Sequence, residues 1–389
     1  MSSQIPLSCA DITGREISAA SDALRAEQLV FGPWTKRFEK AVASHAGSTF
    51  GVATHSSHSA MHVVLESLGI QQGDEVITPA FAFPSAAATL LRMGVTPIFA
   101  DCDARTLNMD CKDVSAKLTD KTKAIIATHT FGNPEGIEAI ARVAQEQEIT
   151  LIEDAGQAIA SKINGRKVGS FGRAAVFAFH SSTQLTSVQG GVITTDDNML
   201  AEKCKAKRNH GFVCDPSHAT DELHRVRTDE LMQSMGHGYR ISEVHAAVGT
   251  VQMQRLDEIM ARRDQLAKWY IQKLCGVAEI MCPTIAPKVE MSWEGFVVRV
   301  NDNYSRDDRD EIIRGLHRHE IGAADYYQSI PSLPLFEKAC NAADTCPVAN
   351  SISKRVLALP FYTSMTEREV DIVCQTLELM LTRGSFTDR

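Results

Sequence analysis

The sequence predicts an α/β protein: a mostly parallel β-sheet with helices on both faces, followed by a smaller α+β domain. Three observations predict it. Short β-rich runs alternate with helical patterns from the N-terminus to about residue 250. Those runs are apolar almost throughout, the pattern of strands buried on both faces. A long helical stretch beginning near Ser242 then leads into a region of different pattern. With 389 residues the chain is too long for one small core and too short for three ordinary domains. The expected division is a large domain over residues 1–250 and a small C-terminal domain over residues 251–389.

Taken in order, "GREISAASDALRAEQL" carries apolar residues at helical spacing, and "TKRFEKAVASHAG" ends in a glycine suited to a helix C-cap. "HSAMHVVLESLGI" predicts another helix. "DEVITPAF", "TPIFAD", "KAIIATHT", "ITLIEDA" and "GVITTD" are β-rich runs bounded by Gly, Pro or Asp, with helices such as "GIEAIARVAQEQE" between them. "SEVHAAVGTVQMQRLDEIMARRDQLAKWYIQKL" reads as a long connecting helix. The small domain is expected to hold "WEGFVVRV", "DDRDEIIRGLHRHEI" and a final helix in "EREVDIVCQTLELMLTR". No internal repeat or low-complexity linker is visible.

Composition narrows the function classes. The chain is 44% hydrophobic and 23% charged with a net charge of −8, and it has no basic stripe, which argues against a nucleic-acid partner. No apolar run reaches the roughly 18 residues of a membrane helix. The start "MSSQIPLSCADITGREI" lacks the pattern of a signal peptide. Ten scattered cysteines without a CxxC pair, Cys214 among them, then read as reduced thiols of a cytoplasmic protein.

In open α/β sheets, ligands bind beyond the carboxyl ends of the strands. "PAFAFPS", "EDAGQA" and "FAFHSSTQ" all sit at such ends. The last opens the stretch "FAFHSSTQLTSVQGGVITTDD", an aromatic-rich strand, a polar turn, a Gly-Gly pair and a second strand closed by two acids. Alone, Asp154 could be a helix-capping carboxylate and Phe83 a core aromatic.

The ordered set of these stretches resembles the DegT/DnrJ/StrS family, sugar aminotransferases that use pyridoxal phosphate on a fold-type-I scaffold. The likeness runs from "IPLS" and "GPWTKRFEKAVASHAG" through "GDEVITPAFAF", "GVTPIFADCD", "LIEDAGQA", "GRKVGSFG" and "RNHG". It continues through "GYRISEVHAAVGTVQM" to "LALPFYTSMTEREVD". The resemblance implies a seven-stranded-type sheet and a homodimer, whose interface would be large and hydrophobic. It also implies a role in nucleotide-sugar, surface-polysaccharide or secondary-metabolite biosynthesis. By resemblance, Asp154 sits against the pyridine nitrogen, Gln157 near the ring hydroxyl and Phe83 on the ring face. The phosphate loop falls on Ser57 and His58.

Departures from the family pattern concentrate at the same place. The pattern F-S-F-H-x-x-K-N-L-T-x-G-E-G-G lays onto Phe177 to Gly191 without a gap. Thr183 then stands at the Schiff-base lysine, Ala178 at a phosphate-binding serine and Gln189 at the glutamate. Gly238 in "GHGYR" stands at the asparagine that reaches the neighbouring subunit's phosphate. Lys167 is an ordinary family residue and no substitute for the lysine.

A threonine hydroxyl can neither form the imine nor readily serve as the base. At roughly 1.5–3 kcal/mol for each hydrogen bond to a charged group, the lost phosphate contacts amount to about 4–9 kcal/mol. That corresponds to about three to six decades of affinity. A protonated His58 would return part of it.

The expectation is therefore a lysine-less member, either non-catalytic or repurposed. Its ligand would be planar or sugar-like with an anionic group, such as a nucleotide sugar, and an intact aminotransferase paralogue is a conceivable partner. The alternative is an enzyme resembling the sugar 3-dehydratases, which use pyridoxamine phosphate without covalent attachment; those carry histidine at the lysine position, whereas here His180 lies three residues earlier. Trp293 and Glu294 replace the usual small-domain contact residues. His55, His58 and His62 are spaced like a metal set, but no clustered acid completes it, and no metal is expected.

Overall fold

The computed structural model describes residues 4–212, 234–340 and 346–383; Cys214 lies outside them. Helices α1 (Gly14–Leu24) and α2 (Pro33–Ala46) precede β1 (Phe50–Thr54) and α3 (Ser57–Ser67). There follow β2 (Glu75–Pro79), α4 (Ser85–Arg92), β3 (Thr96–Ala100), α5 (Cys111–Ala116), β4 (Thr122–Thr128), α6 (Ile137–Glu146) and β5 (Thr150–Asp154). A short hairpin, β6 (Lys162–Ile163) and β7 (Arg166–Lys167), leads to β8 (Ala174–Ala178), β9 (Gly191–Thr195) and α7 (Asn198–Arg208).

The central sheet has seven strands in the order β1-β9-β8-β5-β4-β2-β3. Strands β2, β3, β4, β5 and β8 pair in parallel, while β9 runs antiparallel to both β8 and β1. Adjacent residues of one strand serve opposite faces. Ile152 packs with Val63 and Leu65, whereas Leu151 packs with Ile137 and Ile140. With helices on both sides, each position rewards an apolar side chain, which is why the strands read as continuous apolar runs.

Strand β1 has no counterpart among the β-rich runs because Gly51 and Ala53 interrupt the strand formers of "FGVAT". Packing explains its composition: a Cβ at Gly51 would stand 2.4 Å from the Glu39 carbonyl oxygen on α2. Helix α2 closes on Gly47 at φ 82°, as its C-terminal glycine predicts. Its N-terminus is capped from afar: the buried Glu243 carboxylate accepts the N–H groups of Gly32, Trp34 and Thr35 at 2.7–3.0 Å.

The predicted long helix is broken in two, α8 (Glu243–Gln254) and α9 (Leu256–Leu274). Arg255 leaves helical geometry at the junction, and its buried guanidinium reaches Asp11, Glu16 and Glu258 at 3.0 Å each. The break is confined to Arg255, through which backbone hydrogen bonds still run from Val251 to Ile259. Beyond it lie β10 (Ile280–Met281), β11 (Val289–Glu290), β12 (Phe296–Val300), α10 (Arg306–Arg318), α11 (Pro334–Cys340), α12 (Pro347–Ile352), β13 (Val356–Leu359) and α13 (Glu367–Arg383). A second core gathers Tyr270, Phe296, Leu316, Leu357 and Leu377 with Ile5 from the N-terminus. Strand β11 pairs back onto β6, and the Phe81–Ser329 bridge joins the segment after β2 to this region.

One buried carboxylate organises the sheet's carboxyl edge. Glu153 accepts the N–H groups of Gly169 (2.8 Å), Phe171 (2.6 Å) and Gly172 (2.9 Å), and His129 Nε2 lies 3.0 Å from it. Both Glu153 and His129 are essentially inaccessible to solvent. Gly169 adopts φ 96°, where a side chain would also meet Phe177. Glu153→Ala strands three buried donors and is expected to cost at least about 3 kcal/mol. Glu153→Gln keeps an acceptor and should cost less. Urea unfolding checks the order through the transition midpoints at unchanged m.

Candidate functional site

A cavity of about 470 Å³ opens at the carboxyl ends of β4, β5 and β8. Thr128, Asp154 and Ala178 line it from those strand ends, and Ser56, Ser57 and His58 from the start of α3. Phe83, His180, Ser182, Thr183, Gln189 and Gly190 come from the connecting loops. Glu294, Tyr326, Tyr327 and Phe361 close it from the C-terminal half, with Leu7 and Ser8 beside them. Of the sequence-predicted residues, Ser57, His58, Phe83, Asp154, Gln157, His180 and Thr183 are brought together here.

Asp154 ends β5 with few partners. Its carboxylate takes the Thr128 hydroxyl and the Gly156 N–H at 3.3 Å each, both long for charged hydrogen bonds. Burial raises its pKa against the pull of the Gly156 N–H, His129 and Thr128. A cationic group in the cavity would supply what the protein does not. Gln157 is already engaged: its carbonyl accepts the Phe131 N–H at 2.6 Å and its amide donates to the Tyr327 hydroxyl at 2.7 Å. Phe83 is 60% exposed and stands at the mouth, edge-on to Tyr327 at 6.2 Å.

Thr183 closes the turn after β8. Its hydroxyl lies 2.8 Å from the carbonyl oxygens of both His180 and Leu185, so its proton is committed to the backbone. His180 Nδ1 faces the Ser182 hydroxyl at 3.0 Å and its N–H at 3.3 Å. Among the described residues, no lysine or arginine lines the cavity. Lys167 donates to the His45 carbonyl oxygen at 2.6 Å.

The anion corner differs from expectation in two ways. The sequence suggests a protonated His58, but burial and then Arg92 lower its pKa, favouring the neutral ring. His58 Nδ1 instead meets the Thr89 hydroxyl at 3.2 Å. The corner also holds Ser56 and Ser182 beside the N-terminus of α3, where backbone donors and the helix dipole favour an anion. The glycine pair is structural: a Cβ on Gly190 would strike the Ser187 hydroxyl, and one on Gly191 the Ser56 backbone. Gly238 is absent from this chain's cavity lining and bridges to Asn209.

Sequence reasoning missed Tyr326 and Tyr327. Only the return of the C-terminal half onto the sheet brings them to the cavity, where Tyr327 stacks on Phe131 at 5.3 Å. The paired replacement Trp293–Glu294 divides in two: Trp293 is buried against Phe296, whereas Glu294 faces the cavity. His55, His58 and His62 diverge. His55 Nε2 goes to Ser59 at 2.9 Å and His58 to Thr89, while His62 turns toward Glu66.

The model of the DegT/DnrJ/EryC1/StrS aminotransferase family matches residues 10–378. The chain belongs to this family. Spore coat polysaccharide biosynthesis protein SpsC of Bacillus subtilis is 31% identical over 377 residues, 96% of each chain. The aminotransferase TlmJ of Streptoalloteichus hindustanus superposes with a TM-score of 0.88 at 27% identity, covering 97% of this chain and 99% of that one. Spr1654 of Streptococcus pneumoniae in its PMP form is similar in fold, with a TM-score of 0.91 at 24% identity over 98% and 100% of the two chains. The seven-stranded, mostly parallel sheet expected from the sequence is thus the fold-type-I scaffold.

Glu294 makes the cavity pH-sensitive. Burial pushes its carboxyl from an ordinary 4.5 up to about 7, against the pull of Arg263. A raised folded value means that Glu294's own contribution to stability is fully present below about 4.5 and is lost as pH rises to about 7. Glu294→Gln should remove that decline, so its melting temperature relative to the parent protein rises between pH 5 and pH 8. Parallel melting curves across that range check it.

Proposed function

We propose that this family member has given up lysine-based transamination and keeps the cavity as a non-covalent site for a planar ligand with an anionic group. The observation that carries this reading is Thr183, whose hydroxyl is spent on two backbone carbonyls in a cavity that no amine lines among the described residues. A role in sugar metabolism is supported by the 31% identity to a spore coat polysaccharide biosynthesis protein.

Pyridoxal and pyridoxamine phosphate fit the cavity's ring and anion ends better than its attachment point. Asp154 would hold a protonated ring nitrogen and Phe83 would cover the ring. The N-terminus of α3 with Ser56, Ser57 and Ser182 would receive the phosphate. When bound, the protonated ring supplies an electron sink. The protein's part is to orient the ring through Asp154, exclude water with Tyr326 and Tyr327, and place imidazole at the edge of the cavity.

His180 favours a second reading, an enzyme working with pyridoxamine phosphate held without covalent attachment. Its Nδ1 is occupied by Ser182, which leaves Nε2 for proton transfer. In both readings the chain works as a homodimer. Exposed Ile17, Leu24, Leu29 and Val30 near the N-terminus offer an apolar surface, and Gly238 lies outside its own chain's cavity.

Borohydride reduction of the protein as purified, without added cofactor, is expected to give no mass increase by intact-mass spectrometry. A stable cofactor adduct mapped to a lysine at the cavity would sink the proposal.

Thr183→Lys alone should not restore family-like transamination, because Ala178 and Gly238 still leave the phosphate end two partners short of the family pattern. Adding Ala178→Ser and Gly238→Asn is expected to tighten cofactor binding at least about tenfold, on the scale of one charged hydrogen bond. The asparagine requires the His210 ring, 3.0 Å from a Cβ at Gly238, to give slightly. Absorbance titration compares the two variants, and equal affinities would mean that the phosphate corner lies elsewhere.

A further inference from the structure

Two turns of α3 carry different chemistry. His58 lines the cavity, while one turn later His62 points away from it toward Glu66 and His237. One ligand atom from each of His62, Glu66 and His237 lies within 4.8 Å of the others. His62 Nε2 is 3.6 Å from Glu66 Oε1, and His237 Nε2 is 2.9 Å from Glu66 Oε2. No ligand atom comes from the cavity itself.

From these positions we infer that His62, Glu66 and His237 form a binding site for one zinc ion per chain. Two imidazoles and a carboxylate suit borderline zinc better than the hard, oxygen-seeking magnesium or calcium. A water molecule would complete the tetrahedron. His62 and Glu66 are four residues apart on α3 and therefore share one face of it.

The site is preorganised from outside. The Tyr239 hydroxyl lies 3.1 Å from His62 Nδ1, which holds the ring with Nε2 toward Glu66. His237 is pinned through its backbone on both sides: its N–H donates to the Lys207 carbonyl at 2.7 Å, and its carbonyl accepts from His210 at 3.0 Å. Its ring stacks on Tyr239 at 4.6 Å and 12°. A set of three surface residues held only by mutual ion pairing would need none of this support.

Lys207 is the competitor. Its ammonium lies 3.7 Å from Glu66 Oε2 and partly neutralises the carboxylate in the metal-free protein. Zinc binding must displace it, so removing it should strengthen the site. An ion-pair network without a metal function makes the opposite demand, since it loses a partner and gains nothing. Occupied, the site would tie the segment around Gly238 to α3, one helical turn from the cavity.

The test titrates zinc into metal-free, full-length protein against a competing chromophoric chelator, with cobalt substitution as the spectroscopic check. One zinc per chain should bind below about micromolar free metal, in the range of specific protein metal sites. His237→Ala and Glu66→Gln should each weaken binding at least about tenfold, and Lys207→Gln should tighten it. Cobalt should show visible bands of a nitrogen–oxygen site without the intense thiolate band that any of the cysteines would produce. The inference is overturned if the parent protein binds no zinc in that range, if both His237→Ala and Glu66→Gln bind as it does, or if the cobalt spectrum is that of a thiolate site.

Discussion

The Glu153 carboxylate is the interaction on which the candidate site rests. It sits one residue before Asp154 on β5 and turns to the opposite face, where three backbone N–H groups and the His129 ring satisfy it. A buried carboxylate with a full set of donors is rigid, because any displacement strands both the charge and the donors. The loop through Gly169 and Gly172 is thereby fixed to the sheet, and β5 is held in register beside β4 and β8. Asp154 inherits that rigidity while its own side chain, on the other face, keeps only two long hydrogen bonds. The strand thus spends its strong interactions on one carboxylate and leaves its neighbour underserved for a ligand.

The same division appears at the turn after β8. Thr183 and Ser182 both offer hydroxyls, but Thr183 is used up in closing the turn whereas Ser182 faces the cavity beside His180. Gly191 then lets β9 begin against the start of α3, 2.4 Å from the Ser56 carbonyl oxygen at its Cβ position, where no side chain would fit. The shape of the cavity here is made by backbone geometry, independently of the side chain at position 183.

Charge placement separates the two ends of α3. Near its start, burial keeps His58 neutral beside Thr89, and the helix N-terminus supplies the anion-attracting field. One turn on, His62 and Glu66 turn outward to meet the segment that carries Gly238. One helix therefore serves the cavity with its first turn and an inter-segment cluster with its second.

Much of the fold was legible in the sequence because strands covered on both faces must be apolar at nearly every position, and because Gly47 and the acids after the strands mark where elements stop. That Asp154, Gln157, Phe83 and Thr183 line one cavity was legible for a related reason: each lies within a short stretch at a strand end, where open α/β sheets bind ligands. Strand β1 was not, since its small residues answer to the Glu39 backbone of α2 rather than to strand propensity. The break at Arg255 was hidden because its cause, Asp11 and Glu16, lies some 240 residues earlier in the chain. Tyr326, Tyr327 and the pairing of His62 with His237 depend on segments far apart in sequence meeting at one place. Local pattern records what each residue does to its own helix or strand; only the packed chain decides which distant side chains complete a site.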